Sequence, residues 1–96
     1  MANYKLSNTA KEDLIRIYQF GVDKFGPAQA EKYFSSFFEH FEIIAERPLA
    51  FESVEYIRAD YRRCVCGVDS IFYRINDKSV EIMAIIGRQD IDVIFK

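Results

Sequence analysis

Residues Val68 to Lys96 read VDSIFYRINDKSVEIMAIIGRQDIDVIFK, and this stretch decides the fold. Ser70 to Ile75 and Val80 to Ile86 are apolar runs of strand length, rich in β-branched and aromatic residues. Asn76-Asp77 marks a turn between them, because both side chains tolerate left-handed backbone and bond it locally. The two strands are therefore an antiparallel hairpin. A polar tag, Gly87-Arg88-Gln89-Asp90-Ile91, comes straight off the second strand. An arginine in that position serves something other than the core.

Working back toward the N-terminus, Tyr61 to Cys66 is a further strand, and Gly67 marks the turn that joins it to the hairpin. Short connections make the three strands an antiparallel meander. Leu49 to Asp60 reads as a loop leading into the first of them. Before Pro48 lies a helical stretch, Pro27 to about Glu46, with Ala30, Tyr33, Phe34, Phe37, Phe38, Phe41, Ile44 and Ala45 at helical spacing. Gly26-Pro27 closes one helix and opens the next, since proline suits a first helical turn. The earlier helix carries Ala10, Leu14, Ile17 and Tyr18 on one stripe, extended by Val22 and Phe25. Ser7, Asn8 and Thr9 offer capping oxygens, and Thr9 with Glu12 has capping-box spacing. Tyr4-Lys5-Leu6 is a short strand candidate.

The resulting order is β-α-α-β-β-β. This predicts an α+β domain spanning residues 1–96, an antiparallel helical hairpin packed on one face of a small antiparallel sheet. The phenylalanine stripe is first of all core packing against that sheet. It is wider than one packed face needs, which leaves open a groove for a partner helix.

Composition narrows the class. Ninety-six residues support one core. With 50% hydrophobic and 29% charged residues the chain is a globular type, not a disordered one. Nine Phe and six Tyr, with no Trp, assign much of the core volume to Phe. A net charge of −2 and a pI near 5.4 count against general or sequence-specific nucleic-acid binding, which calls for a basic excess. No apolar run reaches membrane-spanning length. The first 25 residues, interrupted by Lys5, Lys11, Glu12, Asp13 and Arg16, do not read as a secretory signal, so a cytoplasmic location is expected. Cys64 and Cys66 share a strand face, too far apart for an easy disulfide, and read as buried reduced thiols. No Cys or His cluster completes a metal site, and no cofactor is expected.

The cations change type along the chain. Four of the six in residues 1–47 are Lys, whereas five of the seven in residues 48–96 are Arg, namely Arg58, Arg62, Arg63, Arg74 and Arg88. Arginine grips carboxylate or phosphate with two bonds, while lysine is a mobile point charge. Alternation puts Arg74 on a strand face with Phe72 and Ser70, opposite Ile71, Tyr73 and Ile75. The face not covered by helices is therefore expected to display Arg74, with whichever of Arg62 and Arg63 aligns with it. The plain reading pairs these arginines with Glu55, Asp60 or Glu81. No nucleophile triad or phosphate loop can be assembled, and His40 reads as a solvent-facing helix residue. Tyr61 and Tyr73 are the remaining candidates for acid–base chemistry beside the arginines.

Five motifs in order carry a resemblance over nearly the whole chain. They are Ser7-x-x-Ala10-x-x-Asp13-Leu14, Phe25 to Tyr33 (FGPAQAEKY), Ile57 to Arg62 (IRADYR), Gly67-Val68-x-Ser70 to Ile75 (GVDSIFYRI), and Ile85 to Ile91 (IIGRQDI). Together with the element order they resemble the ParE branch of the RelE/ParE toxin superfamily. The resemblance implies the toxin of a type II toxin–antitoxin pair, encoded with a ParD-like antitoxin that wraps it in a hetero-oligomer. The ParE branch is known for poisoning DNA gyrase, whereas the RelE branch cleaves mRNA on the ribosome with basic residues and a terminal Tyr or His. This tail lacks such a residue, and the acidic pI suits a ribosome-bound nuclease poorly. The gyrase branch is therefore expected, with RelE-type endoribonuclease or an inactive antitoxin-binding remnant as alternatives. On this reading Arg58, Arg62, Tyr73, Arg74, Arg88, Asp90, Ile91 and Phe95 are the target-binding candidates. Tyr18, Tyr33, Phe37 and Phe41 are the antitoxin-binding candidates, under an amphipathic acidic segment laid over the hairpin and sheet edge.

Overall fold

The computed structural model describes residues 3–87. Along the chain run β1 (Asn3–Leu6), α1 (Asn8–Phe25), α2 (Pro27–Glu46), β2 (Glu52–Ser53), β3 (Arg62–Cys66), β4 (Asp69–Asn76) and β5 (Ser79–Gly87). The five strands form one sheet in the order β1-β5-β4-β3-β2. The antiparallel meander of β3, β4 and β5 is as expected, and so is the helical hairpin on the sheet.

Three expectations need correction. The sheet is mixed, because β1 lies parallel to β5, with Tyr4 opposite Val80. No hairpin turn joins these strands, so the sequence carries no local signal for their relative direction. The second correction is β2, two residues inside the stretch read as loop. It is too short for alternation, and its register sets Glu52 opposite Arg63. The Arg63 Nε lies 3.1 Å from Glu52 Oε1 across that edge. The third concerns the start of α1. Its N-cap is Ser7, whose Oγ accepts from the Ala10 N–H at 3.0 Å, rather than Thr9 in a box with Glu12.

Ser7 also ties the helix to the sheet. Its N–H donates to Ile82 O at 3.0 Å and its hydroxyl to Met83 O at 2.8 Å. Beyond Leu6 no strand among the described residues lies on this side of β5, and α1 closes that edge with side chains. The Asp13 Oδ2 accepts from Ile85 N–H at 2.9 Å, and Arg16 Nη2 donates to Ile85 O at 3.3 Å. Ala10 and Leu14, on the same stripe of α1, are buried in the core. The spacing Ser-x-x-Ala-x-x-Asp-Leu is thus one helix face seated on a strand edge, polar where it meets backbone and apolar where it meets side chains.

Both faces of the sheet are covered near its centre. On the helical side Leu14, Ile17, Phe37, Phe41 and Ile44 pack on Cys64, Ile71, Tyr73, Ile82 and Ile85. On the other side Val54, Phe72, Ala84 and Ile86 form a second cluster, with Ile57 and Tyr61 packed against it. The segment between β2 and β3 therefore covers much of the face that was expected to display arginines. Burying Phe72 explains this, since a side chain of that size gains roughly 2–3 kcal/mol from leaving water.

Candidate partner-binding site

An apolar groove of about 500 Å³ lies between the helical hairpin and the β3–β4 turn. Tyr18, Phe20 and Phe25 line it from α1, and Phe34 from α2, while Gly67, Val68 and Gly87 close the sheet side. Phe20, Phe25 and Val68 are 60%, 57% and 79% exposed. Such apolar area facing water in one concavity marks an interaction surface more than a folding requirement. Tyr18 meets Phe34 edge-to-face with ring centres 5.4 Å apart, which fixes the groove's inner wall. Arg16 stands at one rim, and the Lys24 ammonium lies 5.4 Å from the centre of the Phe20 ring. The lining is mainly apolar, with Arg16, 3.4 Å from Asp13, and Asp69 as its charged members.

Tyr33, half-buried, also lines this groove, and it holds the adjacent turn as well. Its hydroxyl is 2.8 Å from Cys66 O and 2.7 Å from Asp69 Oδ2, so one phenol proton serves both residues flanking the β3–β4 turn. Burial, then the hydrogen bond and charge of Asp69, push the phenol well above its ordinary value. It therefore stays protonated and remains a donor. Gly67 adopts φ +61°, and a Cβ placed there would come within 2.6 Å of the Tyr33 ring. Only glycine satisfies both the left-handed backbone and this approach.

Phe37 and Phe41, expected at the antitoxin contact, are fully buried in the core. They cannot meet a partner without unpacking the domain. Their place follows from α2 lying flat on the sheet, so that the centre of its wide stripe is enclosed and only its border reaches the groove. Tyr18, by contrast, is half-buried and lines the groove. Phe20 was legible as an apolar residue off the Ala10–Leu14–Ile17 stripe, and Val68 as a β-branched residue in a turn, where small polar residues are usual.

The arginine-bearing region resolves into pairs. Arg74 Nη2 lies 2.8 Å from Glu81 Oε1, its partner across β4 and β5. Arg62 stands opposite Tyr73, and Arg63 opposite Phe72. Arg63, not Arg62, therefore shares the Phe72 face with Arg74. The Arg62 Nη1 donates to Phe51 O at 2.7 Å. Arg62 and Arg74 nevertheless meet at an open cleft of about 410 Å³ that also holds Glu55, Asp60 and Tyr61. The Arg58 guanidinium is 5.7 Å from the centre of the Tyr61 ring.

Tyr73 is fully buried, and its hydroxyl donates to Pro48 O at 2.6 Å. Burial pushes it up to about 12, against the opposing charge of Arg62. It cannot touch a target or act as an exposed base, and it is corrected to a core residue. His40 is half-buried, its Nδ1 2.7 Å from Ser36 O. Cys64 and Cys66 are free buried thiols, as expected. Arg88, Asp90, Ile91 and Phe95 lie outside the described residues. Among those described, no cluster of ligating side chains could hold a metal, and no helix is long and apolar enough to cross a membrane.

A family model described as "ParE toxin of type II toxin-antitoxin system, parDE" matches residues 4–92. The chain belongs to the ParE toxin family. Toxin ParE1 of Caulobacter vibrioides is 37% identical over 86 residues, covering 90% of this chain and 88% of that one. Toxin ParE1 of Mycobacterium tuberculosis is 27% identical over 93 residues, 95% of each chain. A chain of the chromosomal ParDE toxin–antitoxin system of P. aeruginosa superposes with TM-score 0.80 at 21% identity, covering 91% of this chain and 96% of that chain. A chain of the M. tuberculosis RelBE2 toxin–antitoxin complex gives 0.69 at 19% identity, covering 91% and 98%. At these identities the two structures speak for the ParE/RelE-like fold. The family match makes the chain a type II toxin.

Proposed function

We propose that this ParE-family chain acts by binding: it docks on DNA gyrase, holds it in the state in which DNA is cut and not religated, and is neutralised by a ParD-like antitoxin. Such a shift requires tighter binding to the cleaved state than to the others, because equal affinity for every state moves no equilibrium. The target-facing candidates are Arg58, Arg62 and Arg74 around the open cleft, with Arg88, Asp90, Ile91 and Phe95 of the tail. The antitoxin lays an amphipathic, acidic segment in the hairpin groove, in the manner of a helix in an apolar channel. Toxin and antitoxin form a hetero-oligomer in the cytoplasm, where gyrase is found. No cofactor takes part.

The observation that carries this reading is the groove itself. Phe20, Phe25 and Val68 beside Arg16 leave an apolar surface uncovered among the described residues, and membership of the family suggests the occupant. Two assays test the target. Purified protein is added to gyrase with supercoiled plasmid, and separately to translating ribosomes with a defined mRNA. Linear plasmid covalently linked to protein, with intact mRNA, is the expected result. Messenger cut on the ribosome would overturn the reading in favour of an endoribonuclease, and inactivity in both assays would leave an antitoxin-binding remnant.

A further inference from the structure

Val68 occupies an unusual place for a β-branched residue. It forms the tip of the two-residue turn between β3 and β4, where Cys66 stands opposite Asp69, and it is 79% exposed. Among the described residues, nothing in the packing calls for an apolar side chain there, and turns of this kind favour Gly, Asn, Asp or Ser.

The turn that carries it is held at three points. The Tyr33 hydroxyl engages Cys66 O on one side of the tip and Asp69 Oδ2 on the other. Between them, Gly67 lies so close beneath the Tyr33 ring that no side chain fits. Val68 is thereby a fixed apolar knob on the wall of the groove that also contains Phe20 and Phe25. A contact residue that is already ordered loses little freedom on binding, which is how preorganisation raises affinity.

We infer that Val68 is an anchor of the antitoxin interface and that Tyr33, on the same groove wall, positions it through the turn. This assignment rests on the toxin–antitoxin reading above. The complementary feature of the partner is an apolar side chain seated between Val68 and the Phe20–Phe25 wall, with a carboxylate nearby for Arg16.

The test is a double-mutant cycle on full-length protein, titrated with the purified antitoxin encoded beside it. Measurements are made well below the unfolding temperature of every variant. Val68→Ser is expected to weaken binding on the order of tenfold or more, as a central anchor does, with unchanged thermal stability. Tyr33→Phe keeps the ring and loses the two hydrogen bonds; it should weaken binding less. The double variant should bind about as weakly as Val68→Ser alone, because positioning has no value once the knob is gone. Asp69→Asn retains an acceptor for the phenol and should bind like the wild type. If Tyr33→Phe does not fold, Asp69→Ala takes its place in the cycle.

Additive losses would reduce Tyr33 to a general structural role and overturn its assignment. Wild-type affinity in Val68→Ser would remove the anchor. Loss of self-association in Val68→Ser, seen by sedimentation with antitoxin affinity intact, would reassign the knob to a contact between copies of this chain. An antitoxin that fails to bind the wild type would instead overturn the toxin–antitoxin reading, and the anchor with it.

Discussion

Asp13 on α1 accepts a hydrogen bond from the backbone N–H of Ile85 on β5 at 2.9 Å, across 72 positions of chain. Ile85 is fully buried, so that N–H has no recourse to water. The carboxylate occupies the place a neighbouring strand would otherwise take. A family motif residue that looks like an ordinary helix-surface acid is therefore the plug of a sheet edge.

Removing that plug should be costly. Asp13→Ala leaves a buried donor unsatisfied and is expected to lower stability by about 2 kcal/mol, in the range for hydrogen bonds to charged groups. Asp13→Asn keeps an acceptor oxygen and should cost less. Urea denaturation of both variants checks the ordering, and an equal loss would contradict this role for the carboxylate.

Core and groove aromatics should separate cleanly. Phe37→Ala empties a fully enclosed site and is expected to destabilise by about 3–5 kcal/mol. Phe20→Ser, at a position 60% exposed, should leave stability within about 0.5 kcal/mol while weakening antitoxin binding. Thermal unfolding and titration calorimetry on the same two proteins distinguish these outcomes.

Gly67→Ala meets two obstacles, the left-handed φ of +61° and a 2.6 Å approach to the Tyr33 ring. The left-handed backbone alone costs roughly 1–2 kcal/mol, and the steric overlap adds to it. Adding Tyr33→Ala to Gly67→Ala relieves the overlap but not the backbone strain. Relative to the two single substitutions, the double variant should therefore be less destabilised than their sum. Simple additivity by chemical denaturation would show that the close approach carries no strain.

Alkaline pH should weaken the fold in a defined window. Burial raises Cys64 from 9.0 to about 11 and Tyr73 from 10.0 to about 12. In both, the folded state favours the protonated form. Their contribution is complete below pH 9 and is lost progressively as pH climbs through about 11 and about 12. Denaturation midpoints measured from pH 8 upward should stay level and then fall. Cys64→Ala should flatten the earlier part of the fall, relative to its own value at pH 8.

The Arg74–Glu81 pair is a partly exposed ion pair on the sheet, and such pairs contribute about 0–1 kcal/mol. Arg74→Ala should therefore keep the fold and the antitoxin complex. If the open cleft faces the target, the same variant loses gyrase poisoning. Deletion of residues 88–96 should likewise abolish poisoning with antitoxin binding retained. Full toxicity in either variant would remove those residues from the target surface.

Much of the architecture is written in near neighbours along the chain. Gly26-Pro27 sets the break between helices, Pro48 follows the end of α2, and Gly67 and Asn76-Asp77 set the turns of the meander. Each is a local conformational preference, effective whatever surrounds it. The buried thiols were legible for the same reason, since strand periodicity alone puts Cys64 and Cys66 on one face. The phenylalanine stripe was legible as a stripe, but not which of its members would be enclosed.

What only the tertiary structure decided are relationships between distant residues. The direction of β1 depends on pairing with β5, and the hydroxyl of Ser7 meets Met83 O across 76 positions. The second sheet face is covered because Val54, Ile57 and Tyr61 find Phe72, a match that no periodicity announces. Tyr33 and Phe37 lie four residues apart on one helix stripe, yet one clamps a turn and the other fills the core. Helical spacing assigns residues to a face, whereas the packing of that face against the sheet determines which side chains remain open to a partner.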